Sequence, residues 1–180
     1  MPSVLLPLAQ GSEDLEAITV LNILRRADIE AISASLDGQS IRGSRGTLIV
    51  PDTSLDAALQ RDFDMVVLPG GQPGTNNLKA DARIIKLVQD MANKGRYVCA
   101  ICAAPSILAT AGLLDGKRAT SYPGALSAFP LVSLQSQAVV EDGKFITSRG
   151  PGTAMDFALT LVERLSGKSK RDEVEASLVR

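Results

Sequence analysis

The sequence contains no histidine, and only two of its 180 residues are cysteine. Without an imidazole the chain can form neither a Cys-His nor a Ser-His dyad, and it lacks the side chain that most often binds zinc. A protease of the Cys-His type is therefore disfavoured, and we expect no metal site. Two cysteines three positions apart cannot connect distant parts of a fold, so a reducing, cytoplasmic environment is expected.

Long apolar runs and an excess of charge are missing as well. No run approaches the length of a membrane span, and the first residues lack the basic start and long apolar middle of a secretory signal. The 19 basic and 20 acidic residues leave a formal net charge of -1, which provides no electrostatic footprint for nucleic acid or for an anionic membrane. A small-molecule partner is favoured by elimination.

What the chain does contain is enough apolar sequence for one sizeable core, since 45% of its residues are hydrophobic. We therefore expect a single domain over residues 1–180. Apolar runs typical of strands alternate with helical segments, which predicts an α/β fold, a three-layer sandwich around a mostly parallel sheet. Neither a Walker sequence nor G-x-G-x-x-G occurs, so no nucleotide cofactor is expected.

The fold is organised around Cys102, which lies between an apolar run at 98–101 and a helical segment that starts at Ala103. Pro105 is tolerated in the first turn of such a helix. Cys102 is thus predicted at the carboxyl edge of the sheet, where open α/β proteins bind ligands. A helix N-terminus favours negative charge, so a thiolate is expected to form easily there. An inert buried cysteine is the alternative interpretation.

The first helix follows a glycine turn, with Ser12 as its predicted N-cap and with Glu13 and Asp14 facing water. Glu16 shares a stripe with the apolar positions four and seven residues later. Its carboxyl either points inward, where burial would hold its proton more tightly, or is a third solvated acid. The helix is apolar nearly all round, so a second subunit could cover it.

A second glycine turn, Gly70-Gly71, ends the apolar run at 65–68. Two glycines at the end of a strand allow another group to approach the backbone closely. The Gly71 N–H is a candidate for holding an anion or oxyanion beside Cys102. An ordinary glycine turn is the other interpretation. The remaining predicted elements are strands at 4–9, 30–36, 118–121, 138–140 and 145–147, a hairpin at 41–50, and helices at 54–59, 81–93 and 153–165, the last with a Thr153–Asp156 capping box.

Four motifs occur in order along the chain, at 11–16, 68–71, 100–105 and 147–153. Together they resemble the DJ-1/ThiJ/PfpI superfamily, nearest its DJ-1 and YajL branch, over nearly the whole sequence. The resemblance implies a flavodoxin-like homodimer with an oxidation-sensitive nucleophile at Cys102. It also implies a protonated Glu16 that hydrogen-bonds the sulfur, and an anion cradle formed by the Gly71 and Ala103 N–H groups next to Gly70.

Other positions match the superfamily less uniformly. Arg26 and Arg45 match arginines near the dimer interface and the pocket, and Arg149 belongs to the matching loop near the site. Tyr122 occupies the position at which animal members carry a histidine. Members of the YajL group also have no histidine at this position. Any mechanism that needs an imidazole is therefore put in doubt.

Two further departures concern cysteine. Gly43 replaces a second family cysteine, and Cys99 is additional, giving a Cys-Ala-Ile-Cys spacing that imitates a thioredoxin motif. Strand alternation predicts that the side chains of Cys99 and Cys102 point to opposite faces, so a disulfide between them is not expected.

The resemblance implies a cysteine-dependent glyoxalase or deglycase that acts on methylglyoxal or on its early adducts with amines and thiols. A second interpretation, from another functional class, is a redox sensor or chaperone whose Cys102 is oxidised without turnover. The sequence leaves both open.

Overall fold

The computed structural model describes residues 1–180 and contains eleven strands. In chain order these are β1 (Ser3–Leu8), β2 (Glu30–Ser35), β3 (Ile41–Arg42), β4 (Leu48–Ile49), β5 (Thr53–Ser54), β6 (Met65–Leu68), β7 (Tyr97–Ile101), β8 (Arg118–Ala119), β9 (Ser133–Leu134), β10 (Val139–Asp142) and β11 (Phe145–Ser148). Seven of them form the central sheet, in the order β10-β11-β7-β6-β1-β2-β5. All neighbours in it are parallel except β10 and β11.

Six helices cover the two faces of this sheet. They are α1 (Asp14–Arg26), α2 (Leu55–Ala58), α3 (Gln72–Ala80), α4 (Ala82–Asn93), α5 (Pro105–Thr110) and α6 (Ala154–Ser177). Helices α1 and α6 pack on one face, and α2 to α5 contribute to the core on the other. The predicted three-layer, flavodoxin-like sandwich is confirmed. None of the helices combines the length and the apolar character needed to cross a bilayer.

The central strands are buried on both faces, which explains their uninterrupted apolar sequences. Val66 and Leu68 of β6 face the core beneath α2 to α5, whereas Met65 and Val67 face the core beneath α1 and α6. Because β1, β6 and β7 are parallel neighbours, their carboxyl ends meet at one edge of the sheet. The glycine turns after β1 and β6 and the cysteine after β7 are thereby brought together.

Helix α3 is the one helix that the sequence interpretation missed, since only a glycine turn was expected after β6, and the two-residue strands β5 and β9 were not predicted either. Its N-cap is Gly71, and Gly74 in its first turn faces the turn after β1. A Cβ on Gly74 would lie 2.4 Å from the Ser12 nitrogen and 2.7 Å from the Gly11 carbonyl carbon. Gly71 and Gly74 weaken the helical signal in the sequence, and the same two glycines allow α3 to pack against the loop before α1.

The C-terminal helix also differs from expectation. Thr153 does not form a capping box with Asp156, because its hydroxyl accepts a hydrogen bond from the Gly150 N–H at 3.2 Å. Asp156 instead pairs with Arg180 at 2.6 Å. Helix α6 continues past residue 165 to Ser177, with a break at Gly167, where φ is +86°. The last residues thus form a terminal helix that packs back onto the domain.

We expect Gly74→Ala to destabilise the fold although alanine is the better helix former. The new methyl group would collide with backbone atoms of the 11–12 turn, which cannot move as a side chain can. The expected loss is about 2 kcal/mol in the free energy of unfolding, measured by urea denaturation. The matched control is Gly152→Ala, whose methyl group meets no atom within 4 Å. Equal or greater stability of Gly74→Ala would contradict this packing.

Candidate active site

Cys102 directly follows β7 and adopts φ +65°, a left-handed conformation that is rare for a residue with a side chain. Two backbone hydrogen bonds hold it there. Its N–H donates to the Ser148 carbonyl at 2.9 Å, and its carbonyl accepts from the Tyr122 N–H at 2.8 Å. Such a strained elbow costs roughly 1–3 kcal/mol and presents the side chain at the end of the sheet. The residue is 8% exposed, so its thiol is nearly enclosed.

Gly70 is the residue that lets the thiol and a carboxyl group approach each other. A Cβ at this position would lie 2.5 Å from the Cys102 Cβ, 2.8 Å from the Glu16 Oε2 and 3.1 Å from the Cys102 Sγ. Any larger residue would separate the two functional groups. The Gly70 carbonyl in turn accepts a hydrogen bond from the Glu13 N–H at 2.9 Å, which fixes the start of α1 against this turn.

Glu16 is fully buried and points inward, which answers the question that its periodicity left open. The Gly70 N–H donates to its Oε2 at 2.7 Å, whereas its Oε1 has no nitrogen or oxygen partner. Burial raises the pKa of Glu16 to about 7, against the lowering effect of the hydrogen bonds with Gly70 and with the Cys102 thiol. The carboxyl is therefore half protonated near neutral pH.

The Cys102 thiol has two backbone donors, the N–H groups of Gly71 and Ala103. Burial and the neighbouring Glu16 charge nevertheless raise the pKa of Cys102 to about 12. The expectation of an easily formed thiolate is thus wrong for the state with an ionised Glu16. The physical reason is that the two groups are too close to carry two negative charges.

Glu16 and Cys102 consequently titrate as one unit. The first proton lost from the pair leaves a single negative charge, and loss of the second is strongly opposed. Burial and the nearby Glu16 raise the pKa of Cys102 more than the Gly71 and Ala103 N–H groups lower it, so the charge of the singly ionised pair rests mainly on Glu16. The two N–H groups reduce the cost of moving this charge to the sulfur, which gives the form in which Glu16 carries the proton.

The prediction that Glu13 and Asp14 face water is wrong. Their exposed fractions are only 6% and 7%. Asp14 accepts from the backbone N–H groups of Arg45 and Thr47, both at 3.0 Å. Burial alone would raise the pKa of Asp14, but these hydrogen bonds and one from the Thr47 side chain lower it to about 2. Ser12 is not the N-cap of α1 either, because its hydroxyl accepts from the Ala9 N–H at 3.1 Å.

These acids fasten the β3–β4 hairpin to the start of α1. Besides the Asp14 contacts, the Ser44 hydroxyl donates to the Glu13 carboxylate, and a Cβ on Gly43 would lie 2.4 Å from the Asp14 carboxyl carbon. The family cysteine that Gly43 replaces would therefore collide with Asp14 as it is placed here. No local sequence signal distinguishes such anchoring acids from solvated acids at a helix start.

The predicted arginines are dispersed. Arg45 lies on the hairpin, 3.9 Å from the Glu13 carboxylate, with its side chain 81% exposed. The Arg149 guanidinium donates to the Ser136 carbonyl at 3.1 Å. Arg26 lies at the opposite end of α1 from Glu16 and bonds Asn22. Within one chain, Arg26 is thus not brought to Cys102.

Cys99 lies inside β7, fully buried, and both cysteines are free thiols. The prediction that the two side chains point to opposite faces is wrong. Cys102 lies beyond the last strand residue and adopts φ +65°, so strand alternation no longer applies to it. Both thiols contact the core beneath α1 and α6. No group of three or more metal-ligating side chains occurs in the chain.

A family model described as the DJ-1/PfpI family matches residues 2–164. The chain belongs to the DJ-1/PfpI family. Protein dj-1beta of Drosophila melanogaster is 42% identical over 98% of this chain and 96% of its own length. The crystal structure of that fly protein covers 99% of this chain and 97% of its own, with a TM-score of 0.96.

Two other members of the family bear on its chemistry. A Caenorhabditis elegans protein named glutathione-independent glyoxalase DJR-1.2 is 31% identical over 95% of this chain and 91% of its own length. A structure of Toxoplasma gondii DJ-1 described as oxidized covers 99% of this chain and 98% of its own, with 34% identity and a TM-score of 0.95. One relative is thus named as a glyoxalase, and the structure of another is described as oxidized.

We expect Glu16→Gln to become more stable relative to wild type as pH rises from 4.5 to 7. The folded-state pKa of Glu16 is raised to about 7 from 4.5, so across this interval the unfolded chain loses the Glu16 proton while the folded protein still holds it, and wild type loses stability as pH rises. The full difference amounts to about 3 kcal/mol, and the glutamine variant lacks this loss. Urea unfolding of both proteins across this pH range measures it.

The exposed Glu173→Gln serves as the control for the removal of one carboxylate. Its stability relative to wild type is expected to change little between the same pH values. A Glu16→Gln stability difference that stays constant with pH would show that folding does not raise the pKa of Glu16.

Proposed function

We propose that this protein is a cysteine-dependent glyoxalase that converts a small α-oxoaldehyde such as methylglyoxal into the corresponding hydroxy acid, and that it acts in the same way on early adducts of that aldehyde. The observation that carries the proposal is the Glu16–Cys102 pair. A sulfur, a carboxyl with a pKa raised to about 7 and two backbone N–H groups lie around one point at the end of the sheet, which supports a role of Cys102 as nucleophile. The glyoxalase name of the C. elegans relative supports the same chemistry.

The first step would be addition of the Cys102 sulfur to the aldehyde carbon. A sulfur–carbon bond forms, the carbonyl π bond breaks, and the negative charge moves to the aldehyde oxygen. The Gly71 and Ala103 N–H groups, which face the sulfur in the free protein, lie where they can stabilise that oxyanion. Transfer of the Glu16 proton to the oxyanion gives a hemithioacetal and leaves Glu16 as the carboxylate.

Glu16 would then move a proton along the substrate. As a carboxylate it takes the hydrogen from the former aldehyde carbon, giving an enediol, and it returns a proton to the adjacent carbon. The product is a thioester of the hydroxy acid, which water hydrolyses to release the acid and the Cys102 thiol. One carbon is oxidised while its neighbour is reduced, so no external oxidant is needed. A pKa near neutrality suits a group that must both accept and donate.

This scheme needs no imidazole, in keeping with a chain that has no histidine. We expect Cys102→Ser to abolish conversion of methylglyoxal to lactate. Glu16→Gln keeps a hydrogen-bond donor of the same shape but cannot take a proton, so kcat is expected to fall by roughly 100- to 10,000-fold. Enzymatic lactate determination measures both effects.

Cys99→Ala is the matched control, because Cys99 is the other thiol of the chain and is fully buried inside β7. It should retain turnover. Unchanged turnover of Glu16→Gln would eliminate the proposed role of this carboxyl, and turnover by Cys102→Ser would eliminate the nucleophile.

A second candidate function is peroxide sensing at the same sulfur. The thiolate would attack a peroxide, forming a sulfenic acid and releasing water or an alcohol, and a second equivalent would give the sulfinic acid. The oxidised T. gondii relative favours this candidate. Stoichiometric addition of two oxygen atoms to Cys102, seen by mass spectrometry in a protein that turns over no α-oxoaldehyde, would support sensing over catalysis.

We also propose that two copies of the chain associate through the exposed side of α1. Leu15 and Ile18 project there with 51% and 44% exposure. Clefts of about 430 and 180 Å³ flank Ile18, one lined by Leu21 and Arg26 and the other by Met155 and Leu178. The apolar side chains of one copy could enter the clefts of another in a two-fold arrangement. The site role predicted for Arg26 depends on such a dimer.

We expect Ile18→Glu to shift the protein from dimer to monomer, because it places a charge in the buried centre of the contact. Sedimentation velocity ultracentrifugation measures the mass. Leu134→Glu is the control, since Leu134 is 60% exposed on β9, which belongs to the separate two-stranded β8–β9 sheet and not to the central sheet that α1 covers. A monomeric wild type, or a dimer that only the Leu134 variant dissociates, would contradict the proposed contact.

A further inference from the structure

Tyr122 is an exposed aromatic residue in a chain in which only 3% of the residues are aromatic. Its side chain is 53% exposed, whereas the four phenylalanines and Tyr97 are buried or partly buried. Aromatic side chains are normally buried in the protein interior, so the exposure of the Tyr122 ring has to be explained by its location.

The position of Tyr122 is fixed from two sides. Its backbone N–H donates to the Cys102 carbonyl at 2.8 Å, which places its Cα beside the elbow. Its ring reaches the loop after β11, where Cδ2 lies 3.5 Å from the place that a Cβ on Gly150 would occupy. Gly150 has no side chain that could push the ring away.

The strand order shows on which side of the Cys102 sulfur the Tyr122 ring lies. β7 lies between β6 and β11, so the Cys102 elbow has the Gly70-Gly71 turn on one flank and the loop after β11 on the other. The Gly70-Gly71 flank supplies the backbone N–H donor and the contact with Glu16. The Tyr122 ring, spread towards Gly150, lies on the opposite flank and offers a flat apolar face with a hydroxyl at its edge.

We propose that Tyr122 is a specificity-determining residue that forms an aromatic wall beside Cys102 and favours flat, conjugated electrophiles such as aryl α-oxoaldehydes over short alkyl ones. This inference deepens the proposed function and rests on Cys102 as the nucleophile. An aromatic ring that stacks on a planar substrate contributes a factor of roughly 3 to 10 in binding. The contribution is made when the substrate binds, so it should appear in KM.

The experiment compares phenylglyoxal with methylglyoxal as substrates of wild type, Tyr122→Phe and Tyr122→Ala. Wild type is expected to prefer phenylglyoxal, by kcat/KM, over methylglyoxal. Tyr122→Ala should lose roughly 3- to 10-fold of that preference through a higher KM for phenylglyoxal, with little change in kcat. Tyr122→Phe keeps the ring and should keep the preference.

Leu131→Ala is the matched control, since Leu131 is a large apolar residue of the segment that follows Tyr122 and is 65% exposed. It should leave the ratio for the two substrates at the wild-type value. A ratio that Tyr122→Ala also leaves unchanged, in an enzyme that turns over both substrates, would overturn the aromatic wall while the proposed function stands.

A second measurement needs no turnover. Alkylation of Cys102 by N-phenylmaleimide and by N-ethylmaleimide is followed by mass spectrometry in the same four proteins, and the ratio of the two rates is compared. The ratio should fall roughly 3- to 10-fold in Tyr122→Ala alone. If no protein turns over an α-oxoaldehyde but this ratio falls, the proposed function fails and the aromatic wall stands. An unchanged ratio overturns the wall.

Discussion

The site depends on one constraint, which is that a carboxyl and a thiol share a buried space that can hold only one negative charge. Burial raises the pKa of Glu16 to about 7, so the carboxyl is half protonated near neutral pH, and its charge, once formed, opposes ionisation of Cys102. The pair can thereby exchange one proton, with the Gly71 and Ala103 N–H groups lowering the cost of charge on the sulfur. A group that gives and takes one proton near neutral pH is what both addition to a carbonyl and controlled oxidation of a thiol require.

Close approach of backbones makes this arrangement possible. Gly70 leaves room for the Cys102 and Glu16 side chains, and Gly74 leaves room for the turn before α1. Gly71 adopts φ +82°, and a Cβ there would lie 2.4 Å from the Gly11 carbonyl oxygen. The turns after β1 and β6 therefore interlock, and stability of the fold and geometry of the site rest on the same contacts. Substitutions at these glycines would affect folding and chemistry together.

The architecture was largely predictable, because the apolar runs of the central strands and the amphipathic pattern of α4 are local signals. For the site, the sequence predicted which residues take part but not their burial or their hydrogen-bond partners. The motif resemblance named Cys102, Glu16, Gly70, Gly71 and Ala103, and the structure brings all five together. The burial of Asp14, the existence of α3 and the partners of Thr153 were missed. Each of these depends on a neighbour that is distant in sequence, such as the β3–β4 hairpin for Asp14.

The sequence by itself determined the apolar strands at the centre of the sheet, the order of the motifs and the absence of an imidazole, because each is a property of residue types at short spacing. Only the tertiary structure decided the direction of the Glu16 carboxyl, the left-handed turn at Cys102 and the high pKa of its thiol. Periodicity says which residues share a helix face, but burial and charge proximity arise between segments. Those two effects set the protonation of the pair, and they exist only once β6, β7 and α1 have come together.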